Sequence, residues 1–263
     1  MLARYLYNWG FASYSAGDYR GAEMPLIRAL AVQEEVLGSE HLDVALSLNT
    51  LGRLYQDQGR YAEAETLLQR TLALQERVFG PEYLTIAVSL NNLGALYYAR
   101  GQYSQAEPPV RRALAVLQRS LGPEHPVVAK NLNTLGALYY ARGQYSEAES
   151  LVQQALAIQQ KVGEVEYPEL ARIINNLARL YQEQGRHAEA ETLLQWVVTV
   201  NEQMLGPEHP TLASTISNLA LSYHARGQYL QAEPLLTRAL AIKEKVLGPE
   251  HSELVVCYTE HFG

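Results

Sequence analysis

The chain has 263 residues, of which 48% are hydrophobic and 19% are charged, and its formal net charge is −7. This composition is ordinary for a soluble protein, and the negative charge argues against nucleic acid or an anionic membrane as a partner. Because the sequence has no apolar run near the ~18 residues of a spanning helix, no signal-peptide stretch and Cys257 as its single cysteine, we predict a cytoplasmic protein without a membrane anchor, an internal disulfide or a cysteine-cluster zinc site.

A leucine recurs with a constant 42-residue period, at Leu51, Leu93, Leu135, Leu177 and Leu219. Each copy lies in the same local sequence, of which SLNNLGALYYARGQYSQAE is one example. A fixed period of this kind indicates one supersecondary unit repeated along the chain, and such an array is one quasi-linear domain. We therefore predict a single array over residues 1–263, with a truncated repeat at 1–41, full repeats at 42–83, 84–125, 126–167, 168–209 and 210–251, and the start of a seventh first helix at 252–263.

Each repeat is predicted to contain two helices, and residues 42–83 illustrate the pattern. Apolar or small residues of its first half recur at i, i+3, i+4 and i+7, which is one face of an α-helix: Leu48, Leu51, Gly52 and Tyr55. Gly59 ends this first helix. A second helix is predicted from about Ala62 to Phe79, where Gly80-Pro81 closes it.

Two further local signals recur in the later repeats. Ser104 with Glu107, and Ser146 with Glu149, have the spacing of capping boxes at the start of a second helix. A histidine recurs in the loop before the first helix, at His41, His125, His209 and His251. Histidines two repeats apart are expected to lie roughly 20 Å from one another if packed helices are 8–10 Å apart, which is too far to share a metal ion. We therefore expect these histidines to have a turn role.

The signature of Leu51-Gly52-x-x-Tyr55, Gly59-x-Tyr61 and Ala64 resembles that of the tetratricopeptide repeat (TPR). The 42-residue unit is similar to that of the kinesin light chain subtype, and the resemblance covers essentially the whole chain. It implies an all-α fold, a right-handed α-solenoid of stacked helical hairpins, whose concave groove is lined by the first helices and binds short peptides. The sequence has no phosphate-binding glycine loop, HExxH motif or nucleophile elbow, so we predict no enzymatic activity, cofactor or metal.

Each predicted first helix has a second stripe opposite its apolar face. In residues 84–125 the stripe includes Asn91, Asn92 and Tyr98, which share one side of the helix. Asparagine is a poor helix former, so its recurrence within helices requires another reason. Its amide has both donors and an acceptor, and a ladder of amides can bind the backbone of an extended peptide. The candidate peptide-binding residues are Asn49, Asn91, Asn92, Asn133, Asn175, Asn176, Asn218, Arg53, Lys130, Arg172, Arg179, Tyr98, Tyr140 and His224.

The basic members of this set favour acidic side chains in the peptide. Because Arg172, Asn175, Asn176 and Arg179 gather on one helix face, we expect the acidic contact in the repeat at 168–209. Two other interpretations stay open at this point. The asparagines can instead brace neighbouring hairpins through hydrogen bonds, and the basic residues can simply be solvated.

These patterns predict a protein–protein interaction scaffold or adaptor that binds an extended, acidic-containing peptide in the groove. One alternative is a sensor or autoregulatory array of a larger signalling protein, such as a STAND-type NTPase. Another is a self-assembling structural solenoid. Neither end of the sequence has an obvious polar capping helix, which solenoids generally need, so end-to-end association of copies also stays open.

Overall fold

The computed structural model describes residues 1–161 and 167–247, and over these residues the fold is all-α, with twelve helices and no strand. The helices are α1 (Leu2–Ser15), α2 (Tyr19–Leu37), α3 (Leu42–Asp57), α4 (Tyr61–Phe79), α5 (Leu84–Ala99), α6 (Tyr103–Leu121), α7 (Pro126–Ala141), α8 (Tyr145–Lys161), α9 (Tyr167–Glu183), α10 (His187–Leu205), α11 (Pro210–Ala225) and α12 (Tyr229–Leu247). Odd-numbered helices are the first helices of the predicted repeats, and even-numbered helices are the second.

The chain divides into two compact units, residues 1–142 and 143–263. In unit 1, α1 to α6 each pack against the next helix in sequence, and the first helices also contact one another, α1 with α3 and α3 with α5. In unit 2, α9 contacts α11 in the same way. A single continuous array over residues 1–263 stays a prediction, and the predicted seventh helix at 252–263 lies outside the described residues.

A small residue occupies the point where the two helices of a hairpin come closest. A Cβ atom added to Gly52 would lie 2.9 Å from Cγ of Leu68, and one added to Gly94 would lie 2.3 Å from Cγ2 of Val110. In unit 2 the equivalent residue, Ala178, is completely buried. The residue after the periodic leucine is therefore small, glycine or alanine, because the two helices approach closely at this point.

The leucine of the 42-residue period forms the core between hairpins. All five copies are at most 5% exposed: Leu51, Leu93, Leu135, Leu177 and Leu219. One buried cluster joins Leu26 of the first hairpin to Leu51 and Leu68 of the second and to Leu93 of the third. Each hairpin therefore completes its core with apolar residues from its neighbours, as expected for a repeat that cannot bury its own apolar face.

Within the described residues, an ion pair joins the glycine turn of each hairpin after the first to the second helix of the preceding hairpin. The carboxylates recur with the period of the leucines, and the pairs are Glu23–Arg60, Glu65–Arg100, Glu107–Arg142, Glu149–Arg186 and Glu191–Arg226. The arginine follows the glycine in two turns and precedes it in three, and a glutamine occupies the other position each time. In either order, the turn supplies one arginine to pair with each glutamate. We call these pairs the turn clamps.

The two kinds of turn clamp use a tyrosine differently. Arg60 stacks 3.8 Å from the ring centroid of Tyr55 and donates to Glu23 over 2.6 Å. In the other kind, the Tyr139 hydroxyl donates to Glu107 over 2.7 Å. The hydrogen bond from Arg60 is the main cause that lowers the pKa of Glu23, whereas the pKa of Glu107 is lowered mainly by Arg111 on its own helix and further by Tyr139 and Arg142. Because the folded-state pKa of Glu23 is lowered, its clamp contributes stability above the ordinary carboxyl pKa and loses it as the pH falls through the lowered value.

The loop histidines cap the first helices. Nδ1 of His41, His125 and His209 accepts a backbone N–H from the second residue after each histidine, over 3.1, 3.2 and 3.3 Å. This confirms the expected turn role for these three residues, whereas His251 lies outside the described residues. The capping box predicted at Ser104 is wrong. The carbonyl of Gln102 already accepts the N–H of Ala106 over 3.0 Å, so α6 begins before the serine and has no side-chain cap.

The close approach within hairpins predicts different costs for the same substitution. We expect Gly94→Ala to lower the free energy of unfolding by about 1–2 kcal/mol, because the β-branched Val110 cannot rotate away from the new methyl group. Gly52→Ala is expected to be nearly neutral, because Leu68 can shift and alanine favours a helix over glycine by about 1 kcal/mol. Urea unfolding followed by circular dichroism measures both values. Equal costs at the two positions would contradict this explanation.

The turn clamps predict that arginine and glutamine can exchange places. Arg100→Gln removes the partner of Glu65 and should lower the free energy of unfolding by about 0.5–1 kcal/mol. Adding Gln102→Arg recreates the order of the turn at Gln58-Gly59-Arg60 and should restore most of that loss. Urea midpoints of the wild type, the single variant and the double variant measure both effects, and a double variant no more stable than the single one would refute the exchange. Arg53→Gln, which removes no carboxylate contact, serves as the matched control.

Candidate functional site

The exposed side of the first helices in unit 1 is the candidate site, and we call it the first-helix face. Its exposed residues on α3 and α5 are Leu46, Arg53, Asp57, Val88, Ala95, Tyr98 and Ala99. Leu46 is 49% and Val88 59% exposed. The face is therefore apolar over much of its length, with one arginine and one aspartate on α3.

The asparagines of unit 1 lie at this face, but their amides bond to neighbouring helices. Asn92 donates to Asn49 over 2.8 Å, and Asn131 donates to Asn91 over 2.6 Å. Asn133 is completely buried and therefore presents no atom to a ligand. Bracing of neighbouring hairpins, which the sequence left open, thus accounts for the hydrogen bonds of Asn49, Asn91 and Asn92.

Unit 2 repeats this use of asparagine. Asn175 on α9 donates to Thr215 on α11 over 3.2 Å. Gln182 donates to the main-chain carbonyl of Asn218 over 2.7 Å, and Asn176 is half-buried. The amide ladder therefore joins first helices to one another here as well.

The residues at the positions of Ser47 and Gln33 explain which neighbouring helix an asparagine bonds, and sequence reasoning missed them. Ser47 donates to Gln33 of the preceding second helix over 2.6 Å. At the equivalent position Asn131 faces a helix that has Leu117 where Gln33 stands. Leucine cannot accept a hydrogen bond, so the longer Asn131 side chain bonds Asn91 instead. The sequence contained a signal for this change of partner. Leucine replaces the glutamine at the position of Gln33, and asparagine replaces the serine at the position of Ser47 in the following helix.

The basic residues of the predicted site differ in what they already bind. Arg172 donates to Glu169 through two nitrogens, over 2.5 and 3.3 Å, and Lys130 and Arg179 are also engaged. Arg53 is exposed, and no carboxylate in the described parts of the chain bonds it. The cation best placed to meet an external anion is therefore Arg53 in unit 1, and not Arg172 in the repeat where the acidic contact was expected.

Arg53 is held beside an aromatic cluster. Its guanidinium carbon lies 5.5 Å from the ring centroid of Tyr14, whose hydroxyl donates to Asp57 over 2.7 Å. Burial, followed by this hydrogen bond, raises the pKa of Tyr14 to about 12. The tyrosine therefore stays protonated at neutral pH and keeps Asp57 bonded to itself. A shallow cavity of about 340 Å³ opens here, with Tyr19 in its wall.

A larger cavity adjoins the opposite end of the same face. It measures about 740 Å³ and lies between the start of α1, the end of α2 and the start of α3. Its lining is largely aliphatic, including Val32, Val36 and Leu46, with Arg4 and Asp43 also in the wall. Volume and lining are those of cavities that take a small apolar group.

The predicted aromatic contacts are only partly available. Tyr98 is 42% exposed and its ring lies 5.3 Å from that of Tyr103, whereas Tyr140 is half-buried. In unit 2, His224 is exposed and meets Tyr229 edge-on at 5.0 Å. Tyr98 and His224 thus keep surface for a ligand, each steadied by a tyrosine of the next helix.

Neither a membrane-spanning helix nor a metal cluster is found within residues 1–161 and 167–247. None of the helices there has the length and apolar character required to cross a membrane. Those residues also contain no group of three or more histidine, cysteine, aspartate or glutamate side chains arranged to hold a metal ion. Cys257 lies outside them.

Comparison with known proteins agrees with this architecture. The tetratricopeptide repeat model matches residues 1–70, 48–119, 110–161, 132–203, 169–245 and 211–260. A putative kinesin light chain from Podosopora anserina with nearly identical TPR-like repeats is 34% identical, over 79% of this chain and 98% of that one, with a TM-score of 0.65. No curated protein matches the chain.

Two more distant structures share the fold. BtubC (BKLC) from P. vanneervenii is 21% identical, over 94% of both chains, with a TM-score of 0.69. A STAND signal-transduction ATPase with a tetratricopeptide repeat sensor, from Pyrococcus horikoshii, is 16% identical over 96% of this chain and 37% of that one, with a TM-score of 0.75. The fold is therefore an all-α TPR solenoid, and the chain belongs to the tetratricopeptide repeat family, with repeats of the kinesin light chain-like kind.

Proposed function

We propose that this chain is a non-enzymatic adaptor, which binds an extended peptide on the first-helix face of unit 1. Its repeats are those of protein-interaction scaffolds. The observation that carries the proposal is the combination, on one face, of exposed aliphatic residues and an arginine without a carboxylate partner. The peptide it fits has apolar side chains and at least one acidic one.

Exposed aliphatic side chains supply the apolar part of the contact. Leu46 and Val88 lie at equivalent positions of neighbouring first helices, which the bond between Asn49 and Asn92 holds together at 2.8 Å. Ala95 leaves room above the helix backbone for a peptide to approach. Leu46 also borders the 740 Å³ cavity, where one apolar side chain of the peptide can be buried.

Arg53 supplies the anion contact. A charge-assisted hydrogen bond between guanidinium and carboxylate is stronger than a neutral one. The stack on Tyr14 restricts the arginine before the ligand arrives, which reduces the entropy lost on binding. Asp57 lies nearby, but the Tyr14 hydroxyl occupies it. This assignment moves the acidic contact from the repeat at 168–209 to the second repeat.

The proposal gives the asparagines a supporting role. The hydrogen bonds of Asn49, Asn91 and Asn92 hold first helices in register. Asn175, Asn218 and His224 are proposed to offer a separate contact of the same kind within unit 2. A cytoplasmic location is part of the same proposal.

A second candidate function is that of a sensor array in a larger signalling protein. The observation that favours it is the match to the STAND ATPase with a tetratricopeptide repeat sensor. The match covers 37% of that protein. At 16% identity the match is one of fold. Both candidates use the same ligand face, so one binding experiment applies to either.

A random peptide display library, selected against the immobilised chain, tests the proposal. We expect selected peptides to share an acidic residue and an apolar one. Ala95→Trp should abolish their binding, measured by fluorescence anisotropy, because the indole fills the face. Ala115→Trp on the exposed side of α6 is the matched control and should leave binding unchanged. Failure to select any peptide, or full binding by the Ala95→Trp variant, would contradict the proposal.

Variants of Arg53 and Arg172 distinguish the proposed anion contact from the one that the sequence indicated. Arg53→Gln should weaken the selected peptides by about tenfold, the loss expected for one charge-assisted hydrogen bond. Arg172→Gln should change their affinity by less than about twofold, because Glu169 already neutralises that arginine. The reverse order of effects would return the acidic contact to the repeat at 168–209. Circular dichroism melting of both variants controls for folding.

A further inference from the structure

Helix α3 has a carboxylate one helical turn after its exposed arginine. Arg53 and Asp57 are both exposed, and both line the 340 Å³ cavity between the first and second hairpins. They do not bond each other. Within the described residues, Arg53 lies over the ring of Tyr14 and Asp57 accepts the hydroxyl of the same tyrosine. The cavity therefore presents one positive and one negative group side by side.

The two charges recur together elsewhere in the sequence. At the position of Arg53 the six first helices have arginine only twice, and the second is Arg179. A carboxylate follows four residues later in both cases, as Asp57 and Glu183, whereas the other helices have serine or alanine there: Ser15, Ala99, Ala141 and Ala225. Helix stability does not explain this association, because the order with the acid after the base is the weaker form of an i,i+4 pair.

Asp57 uses only part of its bonding capacity. Its Oδ2 accepts the Tyr14 hydroxyl over 2.7 Å, and no other donor in the described parts of the chain bonds it. An ionised carboxylate has about four acceptor sites, so Asp57 can accept further hydrogen bonds from a ligand. The rings of Phe11 and Tyr19 lie in the wall of the same cavity and are 44% and 38% exposed. Aromatic faces attract cations, so the surroundings of Asp57 suit a basic side chain.

The charge of Asp57 also restricts which anion Arg53 can bind. Four residues of a helix advance about 6 Å, and unit charges at this distance still interact. An acidic side chain on Arg53 is therefore repelled by Asp57, unless a basic side chain bonds that carboxylate at the same time. Two residues of an extended peptide advance about 6.8 Å and point to the same side. This spacing is close to that of the two charges on α3.

We propose that Arg53 and Asp57 together recognise two opposite charges that lie two residues apart in the bound peptide. Arg53 binds the acidic side chain, and Asp57 binds the basic one against the aromatic wall. Asp57 is then a specificity-determining residue of the first-helix face, since it selects against a peptide that is acidic at both positions. The proposal rests on the proposed function, because it names the ligand of the same face.

Synthetic peptide pools with fixed charges test the proposal. Each pool has random flanking residues and one fixed triplet, which is Glu-x-Lys, Lys-x-Glu, Glu-x-Gln, Gln-x-Glu or Glu-x-Glu, with x random. We expect the immobilised chain to retain one of the two lysine pools about threefold more than the corresponding glutamine pool, the effect of one exposed ion pair. The Glu-x-Glu pool should be retained least. Equal retention of all five pools would overturn this proposal and leave the contact between the peptide and Arg53 standing, whereas retention of no pool would overturn both.

Asp57→Asn tests the carboxylate itself. Asparagine keeps an oxygen that can accept the Tyr14 hydroxyl, so the fold and the position of Arg53 should be preserved, which circular dichroism melting checks. Fluorescence anisotropy should then show equal affinity for a retained lysine peptide and for its glutamine counterpart. Glu35→Gln, which neutralises an exposed carboxylate on the second helix α2, is the matched control and should keep the threefold preference. A preference for lysine that survives in Asp57→Asn would overturn the proposal.

Discussion

The fold depends on one constraint. A hairpin of this sequence cannot bury the apolar face of its own first helix, so the second helix of the preceding hairpin must cover it. Val44 and Leu51 become buried only because α2 lies over them, and the same dependence recurs at the later hairpins within each unit. The 42-residue period follows directly. Leucine, the small residue at the hairpin contact and the glutamate of the turn clamp must return at the same place, or the next hairpin has nothing to pack against.

Function is left to the residues that stacking does not use. The asparagines repeat almost as regularly as the leucines, and their hydrogen bonds to neighbouring helices show that they belong largely to the stacking set. What varies along the first-helix face is the exposed remainder, such as Leu46, Val88 and Arg53 in unit 1. A scaffold of this kind can change its ligand by changing those positions, while the columns that hold neighbouring hairpins together stay unchanged.

The sequence predicted the helices well and the site less well, for physical reasons. Helical periodicity and glycine are local signals, so α4 was expected from about Ala62 and begins at Tyr61. The partner of an asparagine lies on a different hairpin, and its choice depends on a third column, as with Asn131 and Leu117. The neutralisation of Arg172 was readable, because Glu169 lies one helical turn before it. The contact between Tyr14 and Asp57, which leaves Arg53 without that carboxylate, was not.

The central claim is that the exposed side of the first helices, and not the outer side of the second helices, receives the peptide. Methyl NMR of the chain with labelled alanine, valine and leucine, titrated with a library-selected peptide, tests it most directly. We expect shifts at Leu46, Val88 and Ala95, with none at Ala73 and Ala115, which lie on second helices. Shifts confined to the second-helix methyls, or spread evenly over both sides, would contradict the account.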